Sequence, residues 1–74
     1  MGKAKYVYSA LGINKKRAKE IQEYIINKIK DEAPLVSDLL MEVANKEEFS
    51  REERIYAIYC VGHIVSTFET FMGL

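Results

Sequence analysis

SREERIYAIYCVGHIVSTF (residues 50–68) is the stretch that decides the fold. Ser50 and Glu53 have the spacing of a capping box, in which the serine oxygen accepts from the Glu53 amide and the carboxylate accepts from the Ser50 amide. The fourteen residues from Ile55 to Phe68 include no Lys, Arg, Asp or Glu. The pattern predicts a long helix over about 50–73.

This predicted helix has an apolar face and an uncharged polar face when it is drawn at 100° per residue. The apolar face is formed by Ile55, Ile58, Val61, Val65, Phe68 and Met72, with Ala57, Ile64 and Phe71 beside them. The opposite arc carries Tyr56, Tyr59, Cys60, His63, Ser66, Thr67 and Thr70. Because a helix without a charged face is usually buried, we expect it to lie at the centre of a small bundle.

Two further helices are predicted before it. Asn14 is a favourable N-cap residue and Pro34 disfavours helix at the residue before it, so the first helix is predicted over 15–32. Pro34 also fits the first turn of a second helix, over 34–45. Their core positions are predicted to be Ala18, Ile21, Ile25, Ile29 and Ala33, then Leu35, Val36, Leu39, Leu40 and Val43.

The first thirteen residues have an ambiguous pattern. Residues 6–8 favour a strand, which would have no partner in this chain. Ala4, Tyr8 and Leu11 would instead share one face of a helix that Gly12 ends. We expect a short arm, irregular or briefly helical, on an all-α domain of residues 1–74: a small three-helix up-down-up bundle with its third helix central.

The charges are divided between the two parts of the chain. Residues 1–30 hold eight Lys or Arg and two Glu, a net charge of +6, whereas residues 31–74 hold three basic and nine acidic residues, a net charge of −6. Such asymmetry is typical of a nucleic-acid or membrane contact. The simpler interpretation, which we favour, is that the two parts pack together and complement each other.

The sequence offers little for catalysis or metal binding. Cys60 and His63 are the only cysteine and the only histidine, and they lie one turn apart without an oxyanion-hole or phosphate-loop pattern. Zinc requires four ligands, or three and a water, and one chain supplies two. We therefore expect no enzyme activity and no cofactor.

The sequence predicts a cytoplasmic protein with no membrane partner. The chain has a lone thiol and no signal-peptide pattern. Its uncharged run is shorter than the roughly 20 residues that a membrane span requires.

Protein binding is the favoured function. Interfaces are enriched in tyrosine and depleted in charge at their centres, as is the uncharged arc of the third helix. Gly62 in mid-helix costs about 1 kcal/mol relative to alanine, which suggests a close approach of another backbone. We predict a regulatory or adaptor module that binds another protein, and we favour a homodimer formed through the third helix. The predicted partner-binding residues are Tyr56, Tyr59, His63, Thr67 and Thr70.

Nucleic-acid binding is the alternative. Four cations at 15–19 occupy the first turns of a helix, where the helix dipole disfavours positive charge, so an anionic partner is a reasonable expectation. Residues 8–14 resemble the turn of a helix-turn-helix, with a glycine before a polar cap. The residues predicted to contact phosphate are Lys3, Lys5, Lys15, Lys16, Arg17 and Lys19.

Overall fold

Four helices make up the protein in a computed structural model that describes the backbone of residues 3–72 and the side chains of residues 7–67. They are α1 (Lys3–Ala10), α2 (Lys15–Glu32), α3 (Val36–Ala44) and α4 (Arg51–Met72). Helix α4 packs against each of the other three. The all-α class is confirmed, whereas the predicted count of three helices is wrong, because the supposed arm contains α1.

Local hydrogen bonds fix the beginnings of α2 and α4. The side-chain oxygen of Asn14 accepts from the backbone N–H of Arg17 at 2.7 Å. At α4 the Glu53 N–H donates to Ser50 Oγ at 3.2 Å, and the Ser50 N–H donates to Glu53 Oε1 at 2.9 Å. Both predicted caps are confirmed, since each depends on residues only three positions apart.

The connection between α2 and α3 differs from the prediction. Ala33 adopts the left-handed conformation (φ 45°, ψ 52°), and its N–H donates to the Ile29 carbonyl at 3.0 Å. Leu35 is extended (φ −63°, ψ 147°), so α3 begins at Val36 and Pro34 lies outside it. The proline keeps the residue before it out of the right-handed helical region, and the chain needs two further residues before it can turn into α3.

Helix α1 packs against the rest of the molecule through Val7 and Tyr8. Gly12, with φ 78°, ends the α1 region as expected for a left-handed stop. The Ile13 N–H donates to the Tyr8 carbonyl at 2.9 Å. The Tyr8 ring meets the Tyr56 ring edge to face, with centroids 6.1 Å apart. The helical alternative for this segment is therefore the correct one, and it covers one side of α4.

The core lies between α2, α3 and α4. Its largest fully buried side chains are Tyr56, Ile21, Ile25, Val43 and Val61. The predicted core positions of α2 are buried or half-buried except Ala33, which is exposed. In α3, Leu39 and Val43 are buried, but Leu35 is 70% exposed and Val36 is exposed as well. The prediction for the start of α3 is wrong because these two residues precede or begin the helix instead of lying inside it.

Helix α4 is rotated relative to the predicted orientation, although Ala57 and Val61 of the predicted apolar face are buried as expected. Ile55 and Ile58, assigned to the core from the sequence, are 45% and 40% exposed. Tyr56 and Cys60, assigned to the opposite arc, are 0% and 3% exposed. Helices α1 and α2 cover the side that carries Tyr56 and Cys60, and the core side of α4 turns toward them. The predicted positions Phe68, Phe71 and Met72 lie outside the described side chains.

Ion pairs join the basic and acidic parts of the chain. The Arg17 guanidinium donates twice to the Glu53 carboxylate, at 3.0 and 3.3 Å, and Lys28 lies 3.2 Å from Glu42. The hydrogen bonds from Arg17 hold the pKa of Glu53 below its usual value, and the Ser50 N–H lowers that pKa further. This geometry supports the interpretation that the two parts complement each other within one molecule.

These contacts predict loss of stability in acid. A carboxyl group whose pKa is lowered by folding stabilises the folded state above its unfolded pKa of about 4.3, and that contribution is lost as the pH falls through the folded pKa. The pKa of Glu42 is also lowered, first by the Tyr24 hydroxyl and then by Lys28. The urea midpoint should fall between roughly pH 5 and pH 3, and Glu53→Gln should show a weaker fall than wild type. An identical pH dependence in both proteins would contradict this assignment.

Candidate interaction surface

The exposed side of α4 is the strongest candidate for a binding site. We use the name α4 outer face for the six exposed residues between 55 and 67 together with the half-buried Tyr59; these are Ile55, Ile58, Tyr59, Gly62, His63, Ser66 and Thr67. None of them carries a carboxylate, an ammonium or a guanidinium group. A face of this kind can exclude water without the cost of desolvating a charge.

The predicted partner-binding residues have different locations. His63 and Thr67 are exposed, and Tyr59 is half-buried, with part of its side chain packed on the core. Tyr56 is fully buried and does not belong to the exposed surface, so its predicted place on that surface is wrong. Thr70 lies outside the side chains that the structure describes.

Tyr59 and His63 form a stacked pair. Their rings are 6.1 Å apart between centroids and only 9° from parallel. Because Tyr59 is anchored against the core, the stack orients the exposed imidazole of His63. The pair supplies a flat aromatic area of the kind that contributes strongly to protein interfaces.

Sequence reasoning missed the two most apolar members of this surface. Ile55 and Ile58 lie on the α4 outer face, although periodicity assigned them to the core. No local signal distinguishes the two sides, because both are uncharged and both contain large residues. Further exposed hydrophobic residues lie on α3, which packs against α4: Val36 and Met41.

Gly62 lies in the middle of the α4 outer face. Among the residues whose side chains are described, a Cβ atom placed on it would meet nothing within 4 Å. Within that part of the chain, no other segment approaches the backbone at this point. The close approach of another backbone that the sequence predicts is therefore not made by residues 7–67.

The thiol of Cys60 has the environment of a structural cysteine. It is 3% exposed, and burial raises its pKa, with a smaller opposing effect from the Tyr56 hydroxyl. Tyr56 accepts a 2.5 Å hydrogen bond from Gln22 Nε2, and burial raises the pKa of Tyr56 to about 12. Reactive cysteines instead have lowered pKa values and access to solvent. Across the part of the chain that the structure describes, no three His, Cys, Asp or Glu residues are grouped to hold a metal ion.

The predicted nucleic-acid residues are only partly available. Arg17 is engaged by Glu53 and Glu20, and its guanidinium lies 5.4 Å from the centre of the Phe49 ring. Lys15, Lys16 and Lys19 are exposed. They make no ion pair with any side chain between residues 7 and 67. The side chains of Lys3 and Lys5 fall outside the described region.

Comparison with known proteins adds no information about the function of this surface. Within residues 3–72, none of the helices combines the length and apolar character of a membrane span. No protein-family model, no curated protein and no solved structure matches the chain.

Proposed function

We propose that the protein is a non-catalytic interaction module that forms a homodimer through the α4 outer face. The observation that carries the proposal is the exposure of Ile55 and Ile58 on a helix face without charge. Contiguous exposed apolar area on a soluble protein marks an interaction site. The buried, protonated thiol of Cys60 supports a role without catalysis.

A second copy of the chain is the partner that this face fits best. In a twofold-symmetric dimer the same patch meets itself, so a patch without charge creates no like-charge repulsion. Crossing of two α4 helices near Gly62 would let their backbones approach closely, with Ile55 and Ile58 on either side. A domain of this size buries only about 60% of its unfolded surface, and association adds the apolar burial that the single chain lacks.

Solution mass tests the proposal most directly. Light scattering over a tenfold concentration range should give twice the mass of one chain at the upper end. A salt increase should leave the dimer intact, because its interface contains apolar and uncharged polar groups. The mass of a single chain at every concentration would contradict the proposed homodimer.

Gly62→Ala should affect folding and association in opposite directions. Alanine stabilises a helix interior by roughly 0.5–1 kcal/mol relative to glycine, and the new Cβ meets no atom within 4 Å among the described residues of the same chain. In the dimer the methyl groups would separate the two crossing helices. We expect Gly62→Ala to raise the urea midpoint of the monomeric protein and to raise the dissociation constant of the dimer. Unchanged association would place the helix crossing elsewhere.

Nucleic-acid binding is a second candidate, supported by Lys15, Lys16 and Lys19, which are exposed and have no ion-pair partner among residues 7–67. Binding of this kind weakens steeply with salt, since each phosphate contact releases a counterion. Its test should replace Lys15 and Lys16 and leave Arg17 intact, because loss of Arg17 would break the ion pair with Glu53. No change in oligonucleotide affinity in Lys15→Glu/Lys16→Glu would exclude this surface.

A further inference from the structure

Two neighbouring clefts follow one side of α2. The first, of about 300 Å³, lies between Tyr8 of α1 and the α2 residues Lys15, Lys19 and Gln22. The second, of about 160 Å³, lies between α2 and α4 and is lined by Gln22, Ile26, Cys60, His63 and Ile64. Both include Gln22, so they adjoin, and we call them together the α2 flank groove.

The two ends of the α2 flank groove differ in chemistry. Lys15 and Lys19 at one end are exposed and have no ion-pair partner among residues 7–67. At the other end Ile26 is 42% exposed and lies near the half-buried Ile64. An occupant that satisfies both ends must present negative charge to the lysines and apolar side chains to the isoleucines.

The dimensions of the groove fit a short helix. Lys15 and Ile26 are eleven residues apart on α2, which corresponds to about 16 Å along the axis, or about three helical turns. Between them, Gln22 is held in place by its hydrogen bond to the buried Tyr56 hydroxyl. The middle of the groove is thus formed before anything binds, which lowers the entropic cost of association.

We propose that the α2 flank groove binds an acidic amphipathic helix of another protein. Helices recognised in grooves present apolar anchors at spacings of three, four and seven residues, and the lysines select a partner whose acidic residues lie at the matching end. Nucleic acid fits this groove less well, because no lysine or arginine lines the end formed by Ile26 and Ile64, and the apolar surface of the two isoleucines gives a phosphate backbone no favourable contact. The groove shares only His63 with the α4 outer face, and the proposal does not depend on dimer formation.

The experiment uses the full chain and two synthetic probes. The first is a fluorescent helical peptide of about three to four turns with leucines at i, i+4 and i+7 and glutamates on the adjoining surface. The second replaces every glutamate by lysine. Fluorescence anisotropy should show saturable binding of the acidic peptide and none of the basic one. Failure of the acidic peptide to bind would overturn the proposal.

A matched pair of charge reversals tests the location. Lys19→Glu places a repelling charge in the groove, whereas Lys16→Glu makes the same change on an exposed residue of α2 that does not line it. We expect Lys19→Glu to weaken binding of the acidic peptide at least tenfold and Lys16→Glu to weaken it less than threefold. Equal losses would overturn the proposal, because they indicate attraction to net charge alone.

Two further measurements distinguish peptide binding in the groove from peptide binding on the α4 outer face and from nucleic-acid binding. Peptide-induced NMR shifts should concentrate on Tyr8, Gln22, Ile26 and Ile64, and shifts confined to the α4 outer face would contradict the assignment. A single-stranded oligonucleotide should not displace the acidic peptide. Displacement at equal concentration would instead identify the lysines as a nucleic-acid site. Dimer mass, measured on the same samples, reports separately on the proposed homodimer.

Discussion

Ile55→Glu/Ile58→Glu is expected to convert the proposed homodimer to a folded monomer. The two isoleucines are already 45% and 40% exposed, so glutamate at these positions remains in contact with water in the single chain. In the dimer the carboxylates would be buried without partners, and loss of two central anchors costs about 3 kcal/mol or more. Light scattering should show the dimer dissociation constant raised at least about a hundredfold.

A control with nearly the same exposure is available on α2. Ile26 is 42% exposed and lies outside the α4 outer face, so Ile26→Glu makes the same chemical change as Ile58→Glu. We expect Ile58→Glu alone to weaken the dimer and Ile26→Glu to leave it unchanged. Circular dichroism should report the same helix content for all the variants. A dimer that survives the double replacement, or fails equally in Ile26→Glu, would contradict the proposed interface.

Tyr56→Ala is expected to have the largest effect on stability. Tyr56 is fully buried, meets the Tyr8 ring and accepts the hydrogen bond from Gln22. Truncation of a buried aromatic residue costs about 3–5 kcal/mol, and a domain of this length has a total stability of roughly 4–11 kcal/mol. Urea unfolding at 25 °C should show a free energy of unfolding that is lower than that of the wild type by about 3–5 kcal/mol.

Two other tyrosine variants separate packing from hydrogen bonding and from assembly. Tyr56→Phe keeps the ring and removes the hydroxyl that accepts the hydrogen bond from Gln22, which costs about 1 kcal/mol. Tyr59→Ala removes a half-buried ring that belongs to the α4 outer face, so it should weaken the dimer more than the fold. If Tyr56→Ala instead leaves the urea midpoint unchanged and abolishes the dimer, Tyr56 belongs to the interface.

Neither side of α4 carries a Lys, Arg, Asp or Glu between residues 55 and 68, which explains why these variants could not be chosen from the sequence. Ile55 and Ile58 fit the expected core stripe, and Tyr56 fits the expected binding face, but the structure reverses those positions. Side-chain periodicity can identify the buried side only when the two sides differ strongly in polarity. Around α4 they do not, and His63 and Thr67 are exposed as the sequence predicted.

The α2 flank groove was also beyond sequence reasoning. It combines Tyr8 of α1, the lysines of α2 and the 60–64 segment of α4, which are distant in the chain. The sequence identified the cations as unusual, but it could not show that Arg17 is engaged by Glu53, 36 positions away. Because of that ion pair, Arg17 stabilises the fold, whereas Lys15, Lys16 and Lys19 remain available to a partner.

The sequence by itself determined the helical class, the extent of α2 and the caps at Asn14 and Ser50. Each of these depends on interactions within a few residues, whose energies are set by local spacing. The tertiary structure decided that the first residues form α1, and it decided which side of α4 is buried. Helices α1 and α2 pack against the side of α4 that carries Tyr56 and Cys60, and Ile55 and Ile58 on the other side stay exposed. Only the packed arrangement of all four helices determines which of these two pairs is buried.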